Sequence, residues 1–195
     1  MTERMDDASR TLETYESDVD AYVRKYREQS VAVLYGEPFL DALAGDRLLD
    51  VGCGPGSDLS TFESAGYEPV GFDLTDGFLR AAGESASSAP LVRGDMRALP
   101  FADATFDGVW SSASFLHVPR SDAAETLGEF RRVLRPDGVV FLSVKRASAR
   151  PEESRDRHFE YYRPDEIRSS VADAGFVPEI VETTEEWIAI VAESK

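Results

Sequence analysis

The stretch Leu48–Leu59, LLDVGCGPGSDL, decides the fold of this 195-residue chain. Its first part, Arg47–Val51 (RLLDV), is a short apolar run of the kind that forms a strand buried on both faces. Gly52, Gly54 and Gly56 follow at once, and then a segment, Asp58–Ala65, that reads as a helix stopped by Gly66. A strand passing through a glycine loop into a helix points unpaired backbone N–H groups at whatever lies beyond the strand end. In an open α/β sheet that is where ligands bind. A pyrophosphate-binding loop wants G-x-G-x-x-G. Here the spacing is G-x-G-x-G, with the third glycine one residue early, which argues against a nicotinamide dinucleotide.

Outward from this loop the pattern repeats. Pro69–Asp73, Leu91–Asp95, Phe106–Ser112 and Val139–Lys145 read as strands, and Phe78–Ala86 and Ala123–Leu134 as helices between them. Pro164 opens a further helix that Gly175 closes. Phe176–Thr183 and Trp187–Ala192 lie close enough to pair as an antiparallel hairpin. The expected fold is a single three-layer α/β domain, with a mostly parallel seven-stranded sheet, an antiparallel last strand and helices on both faces. Apolar residues at 12, 15, 19, 22, 23 and 26 predict one helix over Leu12–Tyr26, and Pro38–Ala44 predicts a short second one. The chain thus divides into an N-terminal helical cap, 1–44, and a core, 45–195. Residues 1–10 are polar and expected to fray, and 146–163 to form an Arg-rich loop.

Two acids strengthen the loop as a site. Asp73 ends the second strand, 23 residues after Asp50, and Asp95 ends the third, 22 residues later. A carboxylate at the first position can accept from both hydroxyls of a ribose. One at the second can accept from an adenine amino group, with Met96 packed on the ring.

Composition narrows the classes. One cysteine excludes an internal disulfide framework, and one Cys with two His excludes a Cys/His zinc module, so no metal site is expected. No apolar run approaches the ~20 residues of a membrane span, and the charged start of the chain has no apolar signal region. A cytoplasmic location is the expectation. Asp and Glu number 37 against 21 Lys and Arg, a net charge of −16. That field repels phosphate backbones, so nucleic acid is not an expected partner. It also suits high salt, where screening shortens the reach of each charge, and a halophilic origin is the expectation.

The chain resembles the class I S-adenosylmethionine-dependent methyltransferases, in their compact small-molecule branch. LLDVGCGPG (48–56), GFDLTDGFL (71–79), GDMRALPFADATFDGVWSSASFLHV (94–118) and EFRRVLRPDGVVFLSV (129–144) match the family's motifs in order. Asp137 stands where the family more often has Gly. The resemblance implies S-adenosylmethionine as cofactor and a small-molecule methyl acceptor. It implies that Asp50, Gly52, Cys53, Gly54 and Gly56 hold the methionine end, that Asp73 binds the ribose, and that Leu74, Asp95 and Met96 hold the adenine. Ser111 and Ser112 would flank the sulfonium, and Tyr22 on the N-terminal helix would shield it. The cofactor arrives activated, so a base is needed only where the acceptor must lose a proton. His117 is the candidate base. His158, Tyr161 and Tyr162 are candidate acceptor contacts. Arg146, Arg150, Arg155 and Arg157 share that stretch and could meet an acidic acceptor. Two other functions fit the same residues: binding of S-adenosylmethionine or S-adenosylhomocysteine without turnover, and methylation of a protein or RNA partner.

Overall fold

The computed structural model describes residues 7–27, 30–86, 88–149 and 157–195. The expectations for residues 1–6, Arg150 and Arg155 lie outside the described residues. Seven strands run side by side in the order β3-β2-β1-β4-β5-β8-β7: β1 Arg47–Val51, β2 Glu68–Asp73, β3 Leu91–Arg93, β4 Phe106–Ser112, β5 Leu134–Arg146, β7 Phe176–Thr183 and β8 Trp187–Ser194. β3, β2, β1, β4 and β5 are mutually parallel. β8 is antiparallel to both its neighbours, β5 and β7. The antiparallel strand is therefore last in the chain and lies inside the sheet. One strand is additional: β6, only Tyr161–Tyr162, pairs with the end of β5 inside the stretch expected to be a loop. The β7–β8 register shifts between Pro178 and Ile180.

Strand side chains alternate between two packed faces. Leu49, Val109 and Val140 point to the cluster built with α7 (Ala123–Val133) and α8 (Pro164–Asp173), through Leu127, Phe130, Ile167 and Val171. Their neighbours Leu48, Trp110 and Phe141 point to the opposite cluster, with Ala32, Phe39 and Phe62. There Trp110 stacks on Phe141 with ring centroids 3.7 Å apart. α5 (Ser57–Ser64) and α6 (Asp76–Ser85) bury Leu59, Leu79 and Ala82 together. Apolar groups sequestered on both faces are the main favourable term in such a fold.

The N-terminal segment differs from the expected single helix. α1 (Asp7–Ser17) stops, and Asp18, with φ −150°, caps α2 (Val19–Tyr26) by accepting from the Ala21 N–H. The break comes from the cap itself, because an Asp side chain that takes a helix N–H needs a non-helical backbone. Two short helices follow, α3 (Val31–Tyr35) and α4 (Glu37–Asp41), where one was expected. α3 is tied down by Asp58: one carboxylate oxygen accepts from Ser30 Oγ (2.8 Å) and the Ala32 N–H (3.0 Å), the other from Trp110 Nε1 (2.8 Å). Asp137 holds φ 62° in the turn within β5, the conformation that makes Gly the usual choice there.

Candidate functional site

The glycine loop is fastened to β2 before it meets any ligand. The Gly52 and Cys53 N–H groups both donate to the Phe72 carbonyl, at 2.7 and 3.1 Å. The Gly54 N–H donates to Asp73 Oδ2 (2.9 Å), and the Thr75 N–H to Asp73 Oδ1 (2.7 Å). Asp73 is 8% exposed. Burial raises its pKa, opposed by the N–H donors of Thr75 and Gly54. Gly54 has φ 52°, and a Cβ built there meets nothing within 4 Å, so the backbone borders open space. Gly56 differs from expectation. It caps α5 in the left-handed region, where a Cβ would lie 2.9 Å from Ala82 Cα, and it packs on α6 away from the cavity.

Asp50 is the unusual member. It is 2% exposed, and its Oδ2 is buried with no hydrogen-bond partner. Burial, reinforced by Asp58 and Asp73, pushes its pKa well up. A buried carboxyl oxygen without a donor costs free energy and marks where a ligand donor belongs. A cationic ammonium group would donate to this oxygen, so the site fits the methionine end of S-adenosylmethionine. Cys53 is buried beside it. Its thiol is raised by burial and by the Asp73 and Asp50 carboxylates, so it stays protonated and is no nucleophile.

These groups open into one cavity of 670 Å³. Asp50, Gly52, Cys53, Gly54, Asp73, Leu74, Asp95, Met96, Ser112 and His117 all line it. Asp95 lies two residues past β3, gripped by Arg97: Arg97 Nη2 donates to its Oδ2 (2.7 Å) and Nε to its Oδ1 (3.1 Å). Arg97 Nη1 also reaches Asp122 (2.9 Å).

Ser111 is fully buried and does not flank the cavity. Its Oγ pairs with Ser114 Oγ (2.8 Å), which donates to the Val51 carbonyl (2.6 Å). It braces the loop through Ser114, a lining residue that the sequence reading missed. Tyr22 also stays off the lining; it packs edge-on to Tyr15 and stacks on Tyr26, and those two tyrosines line the cavity instead. Tyr162 is 1% exposed, stacked on Phe115 with the Arg120 guanidinium 4.2 Å from its ring centroid, and burial pushes its hydroxyl up to about 12. Neither Tyr161 nor the His158 side chain lines the cavity; the His158 imidazole turns to Glu160 Oε1 (3.1 Å).

His158 enters the site through its backbone. His117 Nδ1 lies 2.6 Å from the His158 carbonyl and Nε2 lies 3.0 Å from the Tyr15 hydroxyl. A carbonyl only accepts, so Nδ1 carries a proton. Arg157 Nη1 donates to the Tyr15 oxygen (3.2 Å), which directs the hydroxyl hydrogen to Nε2. Burial and the neighbouring Tyr26 hydroxyl raise the Tyr15 pKa, opposed by Arg157. The His158 N–H in turn donates to Thr11 Oγ1 (2.9 Å), so α1 is stitched to this segment. The Arg157 guanidinium lies 5.3 Å from the Tyr15 ring centroid and 4.8 Å from that of Phe159, a cation–π setting.

Known proteins resemble this chain in sequence and fold. The family profile described as a methyltransferase domain matches residues 49–142. The malonyl-[acyl-carrier protein] O-methyltransferase of Pseudescherichia vulneris is 36% identical over 105 residues, 54% of this chain and 41% of that protein. The chain thus spans about two fifths of the length of the first curated relatives it matches. Among solved structures, magnesium protoporphyrin IX methyltransferase from Synechocystis with bound SAM superposes over 100% of both chains, with TM-score 0.78 and 17% identity. The 1,6-didemethyltoxoflavin-N1-methyltransferase of Burkholderia thailandensis, bound to S-adenosylhomocysteine, covers 94% of this chain and 84% of its own, with TM-score 0.75 and 18% identity. These two likenesses speak to the fold.

Proposed function

We propose that this chain, whose residues 49–142 match the methyltransferase-domain profile, is a class I S-adenosylmethionine-dependent methyltransferase that methylates a small-molecule acceptor by in-line displacement. The observation that carries the reading is Asp50: a buried carboxyl oxygen without a partner, beside the glycine loop and Asp73, in one cavity. When bound, the cofactor supplies an electrophilic methyl group on a sulfonium.

The chain's own residues do the rest. Asp50 holds the ammonium group, with the Gly52–Gly54 backbone around the methionine end. Asp73, at the end of β2 and on the cavity wall, takes the ribose hydroxyls. Leu74 and Met96 pack on the adenine, and Asp95, fixed by Arg97, accepts from its amino group. Ser112 borders the methyl-transfer point. The helices α1–α4 act as the cap, with Tyr15 and Tyr26 excluding water from the methyl-transfer point. For an acceptor that must lose a proton, the proton passes to the Tyr15 oxygen as Tyr15 gives its own to His117 Nε2. The raised pKa of Tyr15 favours this concerted transfer over a free phenolate.

The deciding experiment supplies a metabolite extract with methyl-labelled cofactor and identifies the labelled product. Calorimetry with S-adenosylhomocysteine and with NAD accompanies it. Heat with NAD alone refutes the cofactor assignment. Tight S-adenosylhomocysteine binding with no labelled small molecule refutes the acceptor class.

A further inference from the structure

Among the described residues, the exposed large hydrophobic side chains all sit on one five-residue helix: Val33 (70% exposed), Leu34 (64%) and Tyr35 (45%) on α3. On a chain with net charge −16 such a cluster requires an explanation. Two of the three, Leu34 and Tyr35, also line the methyl-transfer cavity. They line as well a second hollow of 150 Å³, which shares Phe141, Glu182 and Ala189 with the first. The two spaces form one groove. It begins at the glycine loop, crosses Phe141 and Ala189 on the sheet, and leaves the molecule between α3 and the β7–β8 hairpin.

We propose that this groove binds the apolar part of the acceptor: a neutral alkyl chain or fused ring, joined to the group that is methylated. The inference rests on the methyl-transfer reading of the deep cavity and adds the substrate class to it. Three features select the occupant. The groove is continuous with the reacting end, so one molecule can fill both. Its outer part carries the carboxylates Glu37 and Glu182, which repel an anionic end group or an anionic lipid surface. A second copy would bring its own −16 charge, and the exposed apolar cluster is one five-residue helix, far short of the ~20–30 residues per side of a stable interface.

The test uses hexyl, heptyl and octyl β-glucosides below their micelle concentrations, titrated into the full chain with and without S-adenosylhomocysteine. Each added methylene that enters the groove should tighten binding by about fourfold. Leu34→Glu places a charge on a position 64% exposed, so the fold survives with an unchanged circular dichroism spectrum, and it should weaken octyl glucoside by at least ~10-fold. Leu34→Met should bind as wild type does. Affinity independent of chain length, or octyl binding untouched by Leu34→Glu, overturns the proposal. So does a wild-type dimer in sedimentation that Leu34→Glu converts to monomer without any glucoside effect. Loss of S-adenosylhomocysteine binding in the wild type would instead strike the methyl-transfer reading, and the chain-length series is read independently of it.

Discussion

Replacing Asp50 by Asn should stabilise the protein and weaken its cofactor binding at the same time. In the ligand-free chain Asp50 Oδ2 is buried without a donor, and Asp58 and Asp73 add like charge. The native state therefore holds the Asp50 proton more tightly than the unfolded chain does. Stability is then undiminished below the unfolded carboxyl pKa of ~3.9 and falls as pH rises through the raised native value. A neutral amide of the same shape removes this dependence. The gain at neutral pH should be about 1–3 kcal/mol. For a chain of this size that is roughly 2–10 °C in melting temperature, and it should vanish near pH 4. Binding moves the other way. A charge-assisted bond from the ammonium group to Asp50 contributes ~1.5–3 kcal/mol, so S-adenosylhomocysteine affinity should drop roughly 10- to 150-fold. Thermal melts across pH and calorimetric titration measure the two effects. With saturating ligand the stability gap read from the melts should shrink by the ~1.5–3 kcal/mol lost in binding. A variant that melts below wild type without ligand, or binds within threefold of it, would refute the reasoning.

Asp73→Ala removes the ribose acceptors and the partner of two loop N–H groups, so S-adenosylhomocysteine affinity should fall at least ~10-fold and stability by about 1–3 kcal/mol, read by calorimetry and urea melts. On the identified acceptor, His117→Asn and Tyr15→Phe should each lower kcat by at least ~100-fold if a proton is lost, with cofactor affinity within a few-fold; full turnover in either removes the relay. Asp58→Ala strands the buried Trp110 N–H and releases α3, and should cost on the order of 2–4 kcal/mol in denaturant unfolding. Melting temperature should climb from low salt to molar potassium chloride, as screening length shrinks from ~10 Å at 0.1 M to ~3 Å and repulsion among 37 carboxylates fades. A flat or falling curve counts against salt adaptation.

Much of the fold was legible because strand, glycine loop and helix signals are local. β4 falls on its expected residues, Phe106–Ser112, and the β7–β8 hairpin where it was placed. Asp50, Asp73 and Asp95 all line the cavity because a parallel sheet presents side chains at and just beyond its strand ends to one space. The errors share another cause. Tyr15, Tyr22 and Tyr26 share one face of an unbroken helix and still cluster across the break at Asp18, but Tyr22 packs behind Tyr15 and Tyr26, which take the cavity wall. β6 is too short for any period, and it exists because β5 runs on past the neighbouring strands to Arg146. Ser111 and Ser114 are equivalent in composition; the buried network through Val51 assigns one to bracing and the other to the lining.

The two ends of the sheet carry a consequence for the protein at high ionic strength. A protein of this charge keeps its copies apart by repulsion, and that protection disappears as salt rises. An edge strand with unpaired N–H and C=O groups is then a template for cross-molecule pairing and aggregation. One edge here is β3, three residues long, too short to seed a ladder. The other is β7, where Pro178 offers no N–H and the register shifts before Ile180. Neither guard depends on charge. Shape protects the sheet at ionic strengths where electrostatics cannot, so Pro178→Val, harmless in dilute buffer, would expose the molecule to salt-induced association.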